Sequence, residues 1–253
     1  MKELSAFNVI RTNRPFPAAQ IQLLVFDLDG TLVDSRVDLA NSINAMLRRY
    51  ERPELPCEVI ASYIGDGAPM LVRRALGDPD DERSVSQALE FFLAYYREHK
   101  LDTTYVYEGV KEALAAIAQN ANGARGERKM AVLSNKPVRP TEVILQALGL
   151  GDFFFRVYGG NSFHTKKPDP LGLKTLLQEA GTRPDEAVII GDSDIDVITG
   201  RSAGVWTCGV TYGLVPHTLA NAPPDVLVDS PSEWPELFAA ALTAENAEDA
   251  ERS

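Results

Sequence analysis

Cysteine is scarce in this sequence: Cys57 and Cys208 are the only two in 253 residues. They form no Cys-x-x-Cys motif, and their spacing fits no cluster of metal ligands. This excludes a disulfide framework and a cysteine-bound zinc site. We therefore expect two reduced thiols and a cytoplasmic protein.

Positive charge is in deficit as well. The chain has 25 lysines and arginines against 36 acidic residues, a formal net charge of −11. Because no basic stripe is available to offset phosphates, we expect no nucleic-acid partner. No apolar run approaches the length of a membrane span, and residues 1–20 lack the apolar core of a signal peptide. We expect a globular protein, monomer or homodimer, without a membrane partner.

The hydrophobic pattern changes twice along the chain. The apolar run 21–26 is typical of a strand buried on both faces, whereas the residues from Ser35 to about Thr104 predict helices only. Beyond them, short apolar runs alternate with helical patterns, which predicts an α/β fold with a parallel sheet covered on both faces. The predicted strands are 21–26, 130–133, 155–158, 187–190, 205–210 and 226–228, and the predicted helices lie near 37–47, 58–64, 68–76, 82–100, 109–119, 141–148, 171–180 and 194–203.

This pattern also predicts the domain organisation. Because a predicted strand precedes the helical block, we interpret the block, residues 35–106, as an insertion into a sheet-forming core made of 21–34 and 107–241. Residues 1–20 are expected to be a loosely ordered leader. Residues 242–253 carry four acidic residues against one arginine and are expected to be a solvated acidic tail.

The most informative stretch is the end of the first strand, where Phe26 is followed by Asp27-Leu28-Asp29-Gly30-Thr31. Carboxylates two residues apart on a strand project to the same side, and their repulsion is relieved by a divalent cation such as Mg²⁺. A solvated acidic loop and an EF-hand calcium loop are the competing interpretations. The EF-hand loop fails because Gly30 stands fourth instead of sixth, and Asp38 occupies the twelfth position, which requires Glu.

Other chemistry-bearing residues follow the later strands. Parallel sheets bind ligands beyond the carboxyl ends of their strands, so residues at these ends meet at one edge. A metal ion together with a phosphate-sized anion would be satisfied there, although each residue alone also fits a solvated or structural position. The converging segments are Ser134-Asn135-Lys136-Pro137, Lys166-Lys167-Pro168-Asp169-Pro170 and Gly191-Asp192-Ser193-Asp194-Ile195-Asp196.

In order and spacing, these motifs resemble the haloacid dehalogenase superfamily of phosphohydrolases over residues 21–240. The segment from Asp27 to Ser35 is similar to the first motif of that family, Ser134 to the second and Lys167 to the third. Gly191-Asp192 with Asp196 is similar to the fourth motif. The inserted helical block resembles the C1 cap of the family. The resemblance implies a Rossmann-like core, with helices on both faces of a parallel sheet.

The resemblance also implies roles for the two leading acids. Asp27 would be the nucleophile that attacks phosphorus and forms an aspartyl-phosphate. Asp29 would be the general acid for the leaving alkoxide and then the general base for the hydrolytic water. Mg²⁺ would be held by the carboxylates of Asp27 and Asp192 and by the backbone carbonyl of Asp29.

Further roles implied by the resemblance concern the phosphoryl group. Ser134 and Asn135 would donate hydrogen bonds to its oxygens, and Lys167 would neutralise its developing charge. Asp196 would orient the metal ligands or Lys167. Thr31, within the first motif, is expected to contribute to substrate binding. Lys167 is preferred over Lys166 because the lysine of the family commonly precedes proline directly.

Finer features resemble the bacterial phosphoglycolate phosphatases, which implies hydrolysis of 2-phosphoglycolate to glycolate. They are the cap segment 65–76, Ser-Asn-Lys-Pro at 134–137, Lys-Lys-Pro-Asp-Pro at 166–170 and Thr-Tyr-Gly at 211–213. Glu108 departs from the pattern, since such proteins often carry proline there. The implied activity makes a small phosphorylated metabolite the expected partner.

Three cap residues are further candidates for substrate binding. Gly65 and Gly67 lack a Cβ and could bring backbone N–H groups close to a small substrate, although a plain helix break explains them equally well. Arg74 could pair with a substrate carboxylate, and a solvated arginine is the alternative.

Several alternative functions remain open at this level. Dehalogenases of the superfamily lack an acid at the position of Asp29, and the Schiff-base lysine of phosphonoacetaldehyde hydrolases has only Lys100 as a counterpart in the cap. A phosphatase for another sugar, amino-sugar-acid or nucleotide monoester, a β-phosphoglucomutase-like enzyme and a non-catalytic binding protein on the same fold stay as alternatives.

Overall fold

The computed structural model describes residues 11–12, 15–119 and 128–239. The expected acidic tail 242–253 and the first ten residues of the expected leader lie outside the described residues. Within the rest of the leader, Arg11–Thr12 forms a short strand, and Phe16 packs edge-on against Trp206 at 5.5 Å between ring centroids. The sequence had assigned no element before Ile21.

Seven strands form one sheet in the order β1-β9-β8-β7-β2-β5-β6. All neighbouring pairs are parallel except β1 with β9, so the predicted parallel sheet is confirmed. Because β2 lies between β5 and β7, its carboxyl end lies between theirs. The strands of the chain are β1 (Arg11–Thr12), β2 (Leu23–Phe26), β3 (Val33–Asp34), β4 (Tyr105–Val106), β5 (Lys129–Leu133), β6 (Arg156–Tyr158), β7 (Ala187–Gly191), β8 (Trp206–Val210) and β9 (Val226–Val228).

Helices cover both faces of this sheet, because successive side chains of a buried strand point to opposite sides. Leu24 and Phe26 of β2 pack against helices α5, α6 and α9, whereas Leu23 and Val25 pack against α7 and α8. The expected α/β architecture is confirmed. The helices are α1 (Arg36–Arg49), α2 (Cys57–Ala61), α3 (Ala68–Ala75), α4 (Glu82–His99), α5 (Val110–Gln119), α6 (Val138–Ala147), α7 (Leu171–Ala180), α8 (Asp194–Ala203) and α9 (Glu233–Ala239).

The helices α1 to α4 surround a separate apolar cluster that includes Ile43, Met46 and Phe92. The chain enters this helical unit through β3 and leaves it through β4, and the two strands pair antiparallel. Each has only two residues, too few for a period to be visible in the sequence. The carboxylate of Asp38 accepts backbone N–H bonds from Thr103 and Thr104, which ties α1 to the returning segment.

Two helix boundaries differ from the predicted ones by three residues. The structure begins α6 at Val138, three residues before the predicted start. Pro140 is tolerated there because the first-turn N–H groups of a helix have no intrahelical acceptor. The structure ends α2 at Ala61, and the chain continues to Ile64 in tighter i→i−3 turns.

Candidate active site

The end of β2 presents Asp27 and Asp29 between the ends of β5 and β7. The Leu28 amide donates to Asp27 Oδ1 at 2.7 Å and fixes one carboxylate oxygen. Gly30 follows with a φ of +85°, which favours glycine, and a Cβ at this position would overlap the Asp192 carboxylate. The tight turn after the strand therefore makes room for the side chain of Asp192, which follows β7 directly.

Lys167 is the lysine that reaches Asp27. Its Nζ lies 3.0 Å from Asp27 Oδ1 and 2.6 Å from Asp196 Oδ1, and all three side chains are buried. Burial alone would lower the pKa of Lys167, but the two carboxylates raise it above its usual value, so the side chain stays an ammonium. Lys166 instead donates to the backbone carbonyl of Asp66 in the loop between α2 and α3.

Asp196 accepts a hydrogen bond from Lys167 with one carboxylate oxygen and a hydrogen bond at the start of α8 with the other. Its Oδ2 accepts the Ser193 hydroxyl at 2.7 Å, while its Oδ1 accepts Lys167. Of the two expectations for Asp196, the contact with Lys167 is present in the structure.

Three carboxylates come close enough to share a metal ion. Oxygens of Asp27, Asp192 and Asp196 lie within 4.8 Å of one another, and this is the candidate metal group among the described residues. Asp192 Oδ2 accepts N–H bonds from Leu214 and Val215, which orients that carboxylate. A donor set made of oxygen alone fits a hard divalent cation. The Asp29 carboxylate lies outside this group.

Crowding of these acids shifts their protonation. Burial raises the pKa of Asp27 to about 6, with the Lys167 ammonium acting against the shift and Asp196 and Asp29 adding to it. Burial, together with Asp196 and Asp27, raises the pKa of Asp192 to about 8. A bound divalent cation would relieve this repulsion, since it favours the ionised form of both groups.

This crowding predicts a pH-dependent stabilisation by metal. Asp192, whose pKa rises from 3.8 to about 8 on folding, binds a proton more tightly in the folded state. Its contribution to stability is therefore complete below about pH 4 and is lost as the pH rises through about 8. In chelator-treated protein, we expect added Mg²⁺ to raise the thermal midpoint more at about pH 8 than at about pH 5.

Asp192→Asn is the matched variant for this test. It cannot ionise, so the chelated variant should lose less stability than the wild type over the same pH range, by on the order of a few kcal/mol. Equal pH dependence in the variant and the wild type would contradict the assignment of the shift to Asp192.

Asp29 has its own set of donors. Ser35 Oγ donates to Oδ1 at 2.5 Å, and Lys136 Nζ donates to both oxygens at 2.8 and 2.7 Å. Lys136 is buried, which alone would lower its pKa, but Asp29 and Tyr96 together raise the pKa above the usual value. The sequence analysis gave Lys136 no role. Its position after Ser134 and Asn135, at a strand end beside β2, was the available signal.

Ser134 and Asn135 follow β5, as predicted, and both line the cavity at this edge. The Asn135 amide group donates to the carbonyl of Gly65 at 2.9 Å and to the carbonyl of Lys167 at 3.0 Å. Asn135 thus joins the α2–α3 loop of the helical unit to the lysine-bearing loop of the core.

The cavity lies between the sheet edge and the helical unit. The cavity has a volume of about 60 Å³, whereas one water molecule needs roughly 10–15 Å³. It therefore suits a small ligand. Gly65 and Gly67 line it, as expected for residues near a substrate. A Cβ on Gly67 would lie 3.0 Å from the Asn135 carbonyl oxygen, so the glycine permits close approach of the loop to the core.

Two expected substrate contacts are not brought to this cavity. The Arg74 guanidinium donates to Asp66 Oδ2 at 2.5 Å and to the Tyr63 carbonyl at 3.2 Å, so it braces the α2–α3 loop from outside the cavity lining. Thr31 is fully buried, and its side chain is outside the lining. Its carbonyl accepts the Tyr212 hydroxyl at 2.9 Å.

The fold and this site define an α/β protein with a parallel sheet and a group of buried carboxylates at the carboxyl ends of two neighbouring strands. A family model, that of the haloacid dehalogenase-like hydrolases, matches residues 24–210, and the chain belongs to this family.

Curated relatives share most of the chain. A phosphoglycolate phosphatase of Pseudomonas putida is 39% identical over 204 residues, which are 78% of this chain and 72% of that protein. A phosphoglycolate phosphatase of Haemophilus influenzae is 37% identical over 77% of this chain and 87% of its own length. Together, the family match and these relatives show that the chain is a phosphatase of the haloacid dehalogenase type.

Solved structures show the same architecture. The crystal structure of a predicted phosphoglycolate phosphatase from Haemophilus somnus has a TM-score of 0.77 and 32% sequence identity. The match covers 85% of this chain and 96% of that chain. Among the described helices, none is both long and apolar enough to cross a bilayer.

Proposed function

We propose that this protein hydrolyses 2-phosphoglycolate to glycolate and phosphate, with Mg²⁺ as its metal ion. The observation that carries the proposal is the arrangement around Asp27, which has Lys167 at 3.0 Å and Asp192 in the same carboxylate group. Similarity to phosphoglycolate phosphatases over more than three quarters of the chain supports the choice of substrate.

In the first step, an Asp27 carboxylate oxygen attacks phosphorus. The bond from phosphorus to the bridging oxygen breaks, the electron pair leaves with glycolate, and Asp29 delivers a proton to that oxygen. The Lys167 ammonium and the Ser134 hydroxyl stabilise the charge that develops on the phosphoryl oxygens. Asp196 holds Lys167 in place for this role.

In the second step, Asp29 takes a proton from a water molecule that attacks the aspartyl-phosphate. The phosphorus–oxygen bond to Asp27 breaks, phosphate leaves, and the Asp27 carboxylate is regenerated. The same residue acts as acid and then as base, so its proton is returned within one turnover.

The carboxylates of Asp27 and Asp192 and the backbone carbonyl of Asp29 would hold Mg²⁺. When bound, the ion neutralises negative charge on the phosphoryl group and on the carboxylates around it. The hardness of these oxygen ligands favours Mg²⁺ over softer divalent ions.

The helical unit, residues 35–106, acts in this proposal as a cap over the core formed by 21–34 and 107–241. Gly65 and Gly67 close the cavity beside the substrate, and Asn135 connects their loop to the core through its hydrogen bond to the Gly65 carbonyl. Thr31 and Arg74 keep supporting roles, Thr31 within the turn of the first motif and Arg74 in the α2–α3 loop. We further propose that the enzyme works in the cytoplasm, as a monomer or homodimer, on a small phosphorylated metabolite and without nucleic-acid or membrane partners.

The proposal is tested by phosphate release from a panel of monoesters in the presence of Mg²⁺. We expect the highest kcat/KM for 2-phosphoglycolate, because the cavity is small and carries a buried cation beside Asp29. The panel includes sugar phosphates and nucleotides, and chelator-treated enzyme is the control for the metal.

Other outcomes separate the alternatives. A higher kcat/KM for a sugar phosphate or a nucleotide would contradict 2-phosphoglycolate as the substrate but leave the assignment as a phosphatase unchanged. An isomerised sugar phosphate without phosphate release would show a mutase, and the absence of turnover on every ester would favour a binding protein.

A further inference from the structure

We propose that the Lys136 ammonium and the Tyr96 hydroxyl together bind the carboxylate of the substrate and so determine specificity. The inference rests on the proposed function and names the residues that would recognise the acid part of a phosphorylated hydroxy acid. Arg74, which the sequence suggested for this task, is engaged with Asp66 instead.

Charge around the cavity singles out Lys136. Among the described residues that line the cavity, it is the only lysine or arginine. The part of the lining that the helical unit contributes is mostly apolar and includes Leu39, Leu71 and Phe92. A substrate carboxylate placed there without a cation would remain buried and unpaired, which is strongly unfavourable. Lys136 is therefore the available partner for it.

Tyr96 provides the second group. It lies on α4 with 5% of its surface exposed, and its hydroxyl lies beside the Lys136 ammonium, which cannot accept its proton, with no hydrogen bond of normal geometry to the described residues. Its ring centroid is 5.0 Å from Lys136 Nζ, so the hydroxyl and the ammonium share one wall of the cavity. Burial raises the pKa of Tyr96 to about 12, so the hydroxyl keeps its proton as a donor. A buried donor of this kind needs an acceptor, and a ligand in the cavity can supply one.

The position of Lys136 also matches the geometry of the reaction. Its Nζ lies 2.7 and 2.8 Å from the two oxygens of Asp29, the group assigned to protonate the bridging oxygen. In a phosphorylated 2-hydroxy acid, one carbon atom separates the bridging oxygen from the carboxylate carbon. A bridging oxygen that contacts Asp29 therefore brings the carboxylate within reach of Lys136.

Substrate binding then changes the partner of Lys136. The substrate carboxylate accepts from the ammonium in place of Asp29, while Ser35 remains a donor to Asp29. An ester without a carboxylate leaves Lys136 on Asp29 and gains nothing from Tyr96. Discrimination between acidic and neutral esters follows from this difference.

The test compares kcat/KM for 2-phosphoglycolate with that for 2-hydroxyethyl phosphate, in which a neutral hydroxymethyl group replaces the carboxylate. Tyr96→Phe keeps the ring and removes the hydroxyl, and we expect it to lower the ratio of the two values by about tenfold or more. Tyr95→Phe is the matched control. Tyr95 stacks on His99 at 4.2 Å and lies outside the cavity lining, so this change should leave the ratio as it is in the wild type.

Lys136→Met is the second variant, and we expect it to lower the same ratio by about 100-fold or more, because a full charge is lost. Both variants are checked for wild-type circular dichroism and thermal midpoint. If Lys136→Met fails to fold, Tyr96→Phe decides the question alone, since it removes a single oxygen atom and keeps the packing of the ring.

The outcomes distinguish this inference from the proposed function. If the wild type prefers 2-phosphoglycolate and Tyr96→Phe lowers both kcat/KM values equally, the inference is overturned and the proposed function stands. If the wild type shows no preference for the acidic ester, both the carboxylate site and the proposed substrate are overturned. A selective loss on 2-phosphoglycolate in Tyr96→Phe, absent from Tyr95→Phe, supports the inference.

Discussion

Asp27→Asn is expected to lower the rate of phosphate release by on the order of 10⁴-fold or more. An amide oxygen does not attack phosphorus as a carboxylate does, so no aspartyl-phosphate forms. Asparagine has nearly the same shape and can still accept the Leu28 amide, and Lys167 keeps its contact with Asp196. The fold should therefore survive. Steady-state phosphate release from 2-phosphoglycolate, with the thermal midpoint alongside, measures both effects.

Asp185→Asn is the matched control for this variant. Asp185 lies just before β7, at the amino end of that strand, and is paired with Arg183 on the surface. It should retain wild-type turnover. Phosphate release by Asp27→Asn at a tenth of the wild-type rate or faster would exclude Asp27 as the nucleophile.

Asp29→Asn is expected to lower steady-state turnover by about 10²- to 10⁴-fold and to change which step is slow. With p-nitrophenyl phosphate the leaving phenolate needs little protonation, so the first step continues without the acid. The second step lacks its base, and the aspartyl-phosphate accumulates. Rapid-mixing absorbance should show a burst approaching one nitrophenolate per enzyme, followed by slow turnover.

Ser35→Ala provides the control for the burst. It removes the hydroxyl that donates to Asp29 but leaves the carboxylate and its contact with Lys136. It should show no stoichiometric burst, because the base for the second step is present. If Asp29→Asn shows no burst and keeps the steady-state turnover of the wild type, Asp29 has no role in either step.

The sequence predicted the main elements of the core and the residues at the strand ends. The alternation on β2 places Leu24 and Phe26 on one face and Leu23 and Val25 on the other, which requires helices on both sides. Asp27, Ser134 and Asp192 each follow a predicted strand. Parallel strand ends meet at one edge whatever lies around them, so their proximity could be expected before the structure was known.

Helix ends were less predictable than helix positions. The sequence predicted a helix near 141–148, whereas α6 begins at Val138 and includes Pro140 in its first turn. The two-residue strands β3 and β4 left no periodic signal. Such boundaries depend on a few local hydrogen bonds, and several starting points satisfy the same sequence pattern.

The partners of long charged side chains were decided only by the tertiary structure. Lys136 and Asp29 are 107 residues apart, and Asn135 and Gly65 are 70 apart, yet each pair forms a hydrogen bond across the site. Arg74 pairs with Asp66 and does not line the cavity. Local sequence determines strands, helices and the edge at which they end, because those depend on near neighbours. The packing of core segments that are far apart in the sequence determines which acid each buried lysine contacts.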